Sequence, residues 1–316
     1  MRSDGALVTR YAAVVCDLDG VVYRGASAVP HAVDVLGALD VPVLYATNNA
    51  SRSPADVAAH LRDLGLACTP DAVATSAQAG AWLLAERLAG GSPVLAVGGA
   101  GVATALDEAG LRPVLPTSAA GNPVAAVLQG YGPAVTAADL AEAAYAVQGG
   151  ATWVATNTDG TLPTDRGVAP GNGSLVAAVE RAVGTPPHLV AGKPAPPLYL
   201  LCARRLDLPP AQVLAIGDRL DTDIEGAVSA GMDSLLVLTG VDDLRACLAA
   251  PPHRRPTWVA PDLRALLAGP RDVGGLVALT DAVGAVHAAR DAGAADAEVG
   301  ALVARVDTVV AAAAHR

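Results

Sequence analysis

Two carboxylates, Asp17 and Asp19 in Asp17-Leu18-Asp19-Gly20, stand two residues apart where the strand pattern Tyr11 to Asp17 ends. Side chains along a strand alternate with a period of two, so residues at this spacing face one crevice at the strand's carboxyl end, where open α/β sheets bind ligands. Such a pair suits a division of labour: one carboxylate is a nucleophile or metal ligand, and the other carries protons as general acid and base. Gly20 permits the sharp turn that brings backbone near a ligand. Turns commonly contain Asp and Gly, so the pattern gains its weight from three further stretches, each placed where another strand of the same sheet would end.

Thr47-Asn48-Asn49 offers a hydroxyl, backbone N–H groups and amides, all neutral donors for a phosphate oxygen; the same residues would also serve as a helix-capping Asx turn. Lys193, in Gly192-Lys193-Pro194, is the one Lys among 21 basic residues. Where every other basic position is Arg, a retained Lys points to a site that wants a compact ammonium rather than a planar fork. In Gly217-Asp218-Arg219-Leu220-Asp221-Thr222-Asp223, Asp218 occupies a strand end from which it can ligate Mg²⁺ together with Asp17, since hard cations take oxygen ligands. Asp223 is expected behind it, steering Asp218 or a metal-bound water. Asp221 precedes a helix, and Thr222 with Glu225 fits a capping box, so part of this polar run has a structural reading.

These residues need a sheet to carry them, and the chain supplies one. Short apolar runs alternate with helical patterns along most of its length, which indicates βα units and an α/β class with a mainly parallel, doubly wound sheet. Strands are expected at Tyr11 to Asp17, Val41 to Thr47, Val213 to Ile216 and Ser234 to Leu238, with helices near Pro30 to Asp40, Ser53 to Leu64, Pro197 to Leu206 and Thr222 to Ala230. From Thr75 a second α/β module begins, with strands at Val94 to Val97, Val124 to Leu128 and Trp153 to Thr156. Its helices fall near Ala77 to Leu88, Val102 to Ala109 and Leu175 to Val183, and Asn157 to Gly173 reads as a loop. The division that follows is a core in two parts, 1–74 and 187–269, an inserted domain, 75–186, and a helical extension, 270–316. The extension reads as a helical pair packing on the core or on a second subunit, with a truncated accessory domain as the alternative.

Composition narrows the function. The 316 residues carry 21 Lys and Arg against 31 Asp and Glu, a net charge of −10, which argues against binding nucleic acid through its phosphates. Four scattered cysteines without a C-x-x-C pair suggest neither zinc nor disulfides, and six His show no metal spacing. No apolar run reaches membrane-spanning length, and the N-terminus lacks the features of a signal peptide. A cytoplasmic location is expected.

Taken in order, Asp17-Leu18-Asp19-Gly20, Thr47-Asn48-Asn49, Gly192-Lys193-Pro194 and Gly217-Asp218 to Asp223 resemble the four motifs of the haloacid dehalogenase-like phosphatases. The resemblance covers residues 10 to 269. It implies a Rossmann-like core with an inserted α/β cap, similar to the subfamily of phosphoglycolate, pyridoxal-phosphate, p-nitrophenyl-phosphate and nucleotide phosphatases. Thr156-Asn157 to Asp159, Pro163 and Pro170-Gly171-Asn172-Gly173-Ser174 also resemble that subfamily. GDRLDTDIEGA, LPTDRG and PGNGS look most like glycerol-3-phosphate phosphatases of actinobacteria.

What the resemblance implies is nucleophilic attack by Asp17 on a phosphate monoester, proton transfer by Asp19, and Mg²⁺ held by Asp17, the Asp19 carbonyl and Asp218. Thr47, Asn48, Asn49 and Lys193 would cradle the phosphate. The implied partner is a small phosphorylated metabolite, glycerol 3-phosphate first and phosphoglycolate second, because Leu162 stands where pyridoxal-phosphate phosphatases carry a His. Gln129-Gly130-Tyr131-Gly132 departs from the subfamily, which places an acid after the strand at Val127. Cap-mediated dimers in the subfamily imply a homodimer. Arg166 is a candidate substrate contact whose ordinary reading is a solvated charge. Gly98-Gly99-Ala100-Gly101 reads as a βα turn, Cys16 as a core residue, and Tyr145, Trp82 and Trp153 as core aromatics. A phosphoacceptor signalling module is the non-enzymatic alternative; it would hold one phosphate instead of turning over many.

Overall fold

A computed structural model of the chain describes residues 5–119, 121–164, 166–268 and 270–314; Asp165, within the Leu162 to Gly167 stretch, and the boundary residue Gly269 lie outside them. The chain divides into two compact units. One comprises Met1–Tyr45, Asp63–Ala67 and Ala203–Arg316, the other Ala46–Arg62 and Cys68–Cys202.

In the first unit five parallel strands lie side by side in the order Trp258–Ala260, Asp233–Val237, Val213–Gly217, Ala13–Cys16 and Val43–Thr47, the last of which belongs to this unit as far as Tyr45. Every residue of Ala13–Cys16 and Val213–Gly217 is buried, as uninterrupted apolar runs require when both faces of a parallel sheet are covered. Ala13–Cys16 pairs with Val43–Thr47 on one side and Val213–Gly217 on the other, so the direction of winding reverses at this strand. Ligands of doubly wound sheets bind at the carboxyl ends of strands at such a reversal.

The strand pattern at 213–217 is followed by an irregularity. A helix starting at Thr222 is expected, but a π-helical turn spans Leu220–Ile224 and an α-helix follows over Glu225–Ala230. Ile224 is already helical and no side chain caps this helix, so the Thr222 and Glu225 capping box does not form. The box needs an extended residue at the cap, and here the turn is wound beforehand.

The C-terminal helices Pro270–Asp291 and Asp296–Ala314 pack on each other, and the first packs on the strand Trp258–Ala260. Leu279, Ala282, Val283, Val286 and Val306 share a core with Leu236, Cys247, Leu248 and Val259. The extension thus completes the core of its own unit. His287 adds a polar tie, its Nε2 lying 2.8 Å from the Cys247 carbonyl oxygen.

The second unit has its own parallel sheet, ordered Leu189–Val190, Thr152–Ala155, Ala126–Gln129, Pro93–Val97 and Arg112–Val114. Helices Ser76–Ala85, Ala100–Glu108, Ala137–Gln148 and Asn172–Val183 accompany it. Trp153, fully buried, centres a core with Leu95, Val127 and Val176. Tyr145 is a correction to the expected core: it is 63% exposed, because its helix turns Ala143 and Ala144 inward instead.

A second correction falls on the expected loop from Asn157 to Gly173. Thr161–Thr164 and Gly167–Pro170 pair as an antiparallel hairpin. A two-stranded ribbon has only edges, where proline is tolerated because its nitrogen need not join a ladder. The Gly98 to Gly101 stretch is a βα turn, with Gly99 at the N-cap of Ala100–Glu108. A Cβ on Gly99 or Gly101 would lie 2.6 Å from the carbonyl oxygen of Ser51 or Ala50, so these glycines serve close backbone packing. All four cysteines are buried and form no disulfide. Among the described residues no helix is long and apolar enough to cross a membrane.

Candidate active site

The first unit brings Asp17 and Asp218 together because each follows the carboxyl end of one of two paired strands. Cys16 registers with Ile216, and the Asp17 N–H donates to the Ile216 carbonyl at 2.9 Å. Cys16 itself is fully buried. Carboxylate oxygens of Asp17, Asp218 and Asp223 all lie within 4.8 Å of one another. Three hard anionic donors at that spacing fit one small divalent cation, whose charge would offset their mutual repulsion.

Neighbouring backbone fixes this cluster. Asp218 Oδ2 accepts the Val241 N–H at 2.7 Å, and its main-chain carbonyl accepts the Asp242 N–H at 3.1 Å. A Cβ on Gly20 or on Gly240 would overlap the Asp218 carboxyl, so both positions must be bare for the carboxylate to sit where it does. Gly20 has the further demand of a φ of +85°, which an L side chain rarely adopts. Asp223 Oδ2 accepts the Arg219 N–H at 3.1 Å, and its side chain lies against Gly217. Asp223, expected behind Asp218, has a carboxylate oxygen within 4.8 Å of one on Asp17 and one on Asp218. Asp221 turns away and pairs with Arg219 through contacts of 3.1 Å on a half-exposed surface.

Asp19 faces outward. Its residue is exposed while the turn that carries it is pinned by the Gly20 N–H donating to the Tyr23 carbonyl at 2.8 Å. A carboxyl group in contact with solvent can exchange protons, whereas Asp17 is buried.

The second unit gathers Thr47, Asn48, Asn49 and Lys193. Thr47 is buried, and its hydroxyl oxygen accepts the Asn49 N–H at 3.0 Å. Lys193 is 2% exposed and donates from Nζ to the Ala46 carbonyl at 3.2 Å. The two asparagines have protein partners. Asn48 Oδ1 accepts the Lys193 N–H at 2.8 Å while its Nδ2 donates to the Lys193 carbonyl at 2.9 Å. Asn49 Oδ1 accepts from the backbone and the hydroxyl of Ser51 at 2.9 and 2.7 Å, an Asx turn.

Two residues with a part in this arrangement have no role assigned from sequence beyond their place in a motif. Asp159 accepts from Asn48 Nδ2 at 3.2 and 3.4 Å, and Asn157 Nδ2 donates to the Asn48 carbonyl at 2.7 Å. The signal was the spacing Asn157-Thr158-Asp159-Gly160 directly after a strand, which repeats the style of the Asp17 stretch. Arg166 is exposed at the hairpin turn, its N–H donating to Thr164 Oγ1 at 3.3 Å.

Residues 14–112 match the family described as haloacid dehalogenase-like hydrolase, and residues 190–266 match one described as HAD-hydrolase-like. Over 253 residues the chain is 49% identical to the D-glycerol 3-phosphate phosphatase of Mycobacterium tuberculosis, an alignment covering 80% of this chain and 70% of that protein. An acid sugar phosphatase of Staphylococcus aureus is 37% identical over 238 residues, 74% of this chain and 89% of that one. Among solved structures, the M. tuberculosis glycerol phosphate phosphatase in complex with magnesium matches with a TM-score of 0.80 at 46% identity, covering 84% of this chain and 79% of that chain. A 4-nitrophenylphosphatase from Thermotoga maritima matches with a TM-score of 0.74 at 27% identity, over 82% and 97% respectively.

Proposed function

The chain belongs to the haloacid dehalogenase-like hydrolases and is a phosphoric monoester hydrolase, and from that premise we propose that it hydrolyses glycerol 3-phosphate to glycerol and phosphate through an aspartyl-phosphate intermediate. The observation that carries the reading is the meeting of the Asp17, Asp218 and Asp223 carboxylates at the reversal point of a parallel sheet.

In this reading an oxygen of Asp17 attacks phosphorus in line, forming the acyl phosphate as the ester P–O bond breaks. Asp19 gives its proton to the departing glycerol oxygen. It then takes a proton from water, whose oxygen attacks the same phosphorus; the bond to Asp17 breaks and phosphate leaves. Thr47 and Lys193 hold the phosphoryl oxygens, and the Lys193 ammonium stabilises the charge that gathers on them. Asp17, Asp218 and the Asp19 carbonyl would hold Mg²⁺, with Asp223 beside them, and the ion when bound neutralises phosphoryl charge. Asp218 and Asp223 keep their carboxylates in place through the N–H groups of Val241 and Arg219.

The choice of glycerol 3-phosphate rests on the name of the M. tuberculosis relative and on residues 157–173, which contain no His, Phe, Tyr or Trp on which a flat ring could stack. Buried cysteines without disulfides agree with a cytoplasmic enzyme.

The test is release of inorganic phosphate, with and without Mg²⁺, from glycerol 3-phosphate, phosphoglycolate, pyridoxal phosphate, a nucleoside monophosphate and p-nitrophenyl phosphate. Turnover that needs Mg²⁺, favours glycerol 3-phosphate and vanishes in Asp17→Asn is the expected result. Preference for another ester would overturn the substrate alone; undiminished turnover by Asp17→Asn would overturn the intermediate.

A further inference from the structure

Asn48 is engaged on several sides around Lys193. Its side chain closes a two-point bridge on the Lys193 main chain, Oδ1 accepting the N–H at 2.8 Å and Nδ2 donating to the carbonyl at 2.9 Å. The second hydrogen of Nδ2 is directed to the Asp159 carboxylate, at 3.2 and 3.4 Å from its two oxygens. The Asn48 carbonyl accepts from Ser76 Oγ and from Asn157 Nδ2, both at 2.7 Å. An asparagine side chain has one acceptor oxygen and two donor hydrogens, and all three are used here.

The packing leaves this bridge little freedom. A Cβ on Gly192 would lie 2.5 Å from Asn48 Oδ1 and 2.6 Å from the Thr156 carbonyl oxygen, so the residue before Lys193 must be bare for the bridge to close. Asp159 is in turn held by its own turn, its N–H donating to Asn157 Oδ1 at 3.1 Å, while Asn172 Nδ2 donates to the Asn157 carbonyl at 2.7 Å. A chain of hydrogen bonds thus runs from Asn172 through Asn157 and Asp159 to Asn48 and ends on the main chain of Lys193.

We propose that Asp159 is a positioning residue for Lys193, acting through the Asn48 amide. A carboxylate acceptor strengthens the Asn48 hydrogen bond and favours the one orientation of the amide in which its oxygen meets the Lys193 N–H; the flipped amide would set donor against donor and acceptor against acceptor. Asp159 makes no contact with substrate in this role. The proposal rests on the reading that Lys193 binds the phosphoryl group, and it extends that reading to the turn 157–159.

The experiment measures kcat, KM and inhibition by inorganic phosphate for Asp159→Ala, Asp159→Asn, Asp159→Ser, Asn48→Ala and the Asn48→Ala Asp159→Ala double variant, with Lys193→Ala alongside and a melting curve for each. Asp159→Ala is expected to lower kcat/KM and to weaken phosphate inhibition by a similar factor, about tenfold, as small misplacements of a catalytic group do. Asp159→Asn keeps an oxygen for the amide and recovers most of the loss, and Asp159→Ser, too short to reach, reports the loss should the alanine variant not fold. Since the proposed influence of Asp159 on Lys193 passes through Asn48, the double variant should be no worse than Asn48→Ala. The proposal is overturned if Asp159→Ala lowers only the melting temperature, or if the losses in the double variant multiply. Impaired Lys193→Ala with unaffected Asp159→Ala sinks the proposal alone; fully active Lys193→Ala sinks the reading beneath it as well.

Discussion

Gly240→Ala separates the seat of Asp218 from the carboxylate itself. A Cβ at this position falls on the Asp218 carboxyl, far inside van der Waals contact, and the effect is purely steric, since φ of Gly240 lies outside the left-handed region. Asp218 Oδ2 accepts the Val241 N–H at 2.7 Å, so the carboxylate cannot slide aside and keep this bond. Either it stays and is crowded, at about 1–3 kcal/mol, or it turns away and gives up a charge-assisted hydrogen bond worth about 1.5–3 kcal/mol. These are alternatives and not a sum, so the expected loss of stability is about 2 kcal/mol. A loss of that size expressed in cation affinity is about 30-fold, since about 1.4 kcal/mol is a factor of ten. The concentration of Mg²⁺ giving half-maximal phosphate release should therefore rise by about 10- to 100-fold, with turnover partly restored at high Mg²⁺. Titrating Mg²⁺ against phosphate release, with denaturant melts in parallel, measures both quantities. A variant with the parent's Mg²⁺ dependence and stability would refute the claim that Asp218 is seated by the bare Gly240.

Leu279→Ala opens the core shared by the C-terminal helices and the strand Trp258–Ala260, and should cost about 2–5 kcal/mol in urea denaturation; a cost below about 0.5 kcal/mol would remove the extension from that core. Burial chiefly holds the His287 imidazole below its ordinary pKa, with the Cys247 carbonyl and Asp291 opposing and Arg255 and Arg290 assisting. The unfolded chain therefore takes up the proton first, so stability is complete above about pH 6.5 and falls as the pH drops below it. His287→Gln should flatten that decline in melting temperature between about pH 7 and pH 5, and an unchanged slope would count against it. Ser53→Ala removes the hydroxyl that accepts the Asp56 N–H at 3.2 Å and donates to its carboxylate at 2.7 Å, for a cost of about 1 kcal/mol. Hydrogen bonds from Ser53 are the main cause of the lowered Asp56 pKa, so the same variant should raise it toward the usual carboxylate range, an NMR titration being the check.

The strand ends were legible because a buried parallel strand is an unbroken apolar run, and the polar residue that ends it is conspicuous. Asp17 and Asp218 follow from that rule, and their pairing follows from the order of strands in a doubly wound sheet. The π-helical turn Leu220–Ile224, where an ordinary helix is expected from Thr222, is not legible in the sequence, and it lays Asp223 against Gly217. The helix Ala137–Gln148 escaped an apolar pattern blurred by its alanines, although Thr136 and Asp139 form a capping box at its start. The hairpin Thr161–Thr164 with Gly167–Pro170 was hidden by its two prolines, which count against a strand everywhere except at an edge.

What an asparagine at a strand end does is decided by partners that local sequence does not show. Asn48 and Lys193 stand 145 residues apart, so nothing near Asn48 announces that its amide is committed to another main chain. The saturation of that amide by Lys193 and Asp159 assigns the two neighbours different work in the proposed reaction. Thr47 Oγ1, accepting the Asn49 N–H, still carries an O–H that can be given to a phosphoryl oxygen, whereas Asn48 has no side-chain donor left to give. Lys193 is then held through its main chain by Asn48 and at its ammonium by the Ala46 carbonyl, which fixes a point charge in a nearly closed space. A guanidinium is larger and planar, and could not keep the Nζ contact without moving the backbone that Asn48 grips. In a chain whose other 20 basic residues are Arg, that constraint is a physical reason for a Lys at position 193.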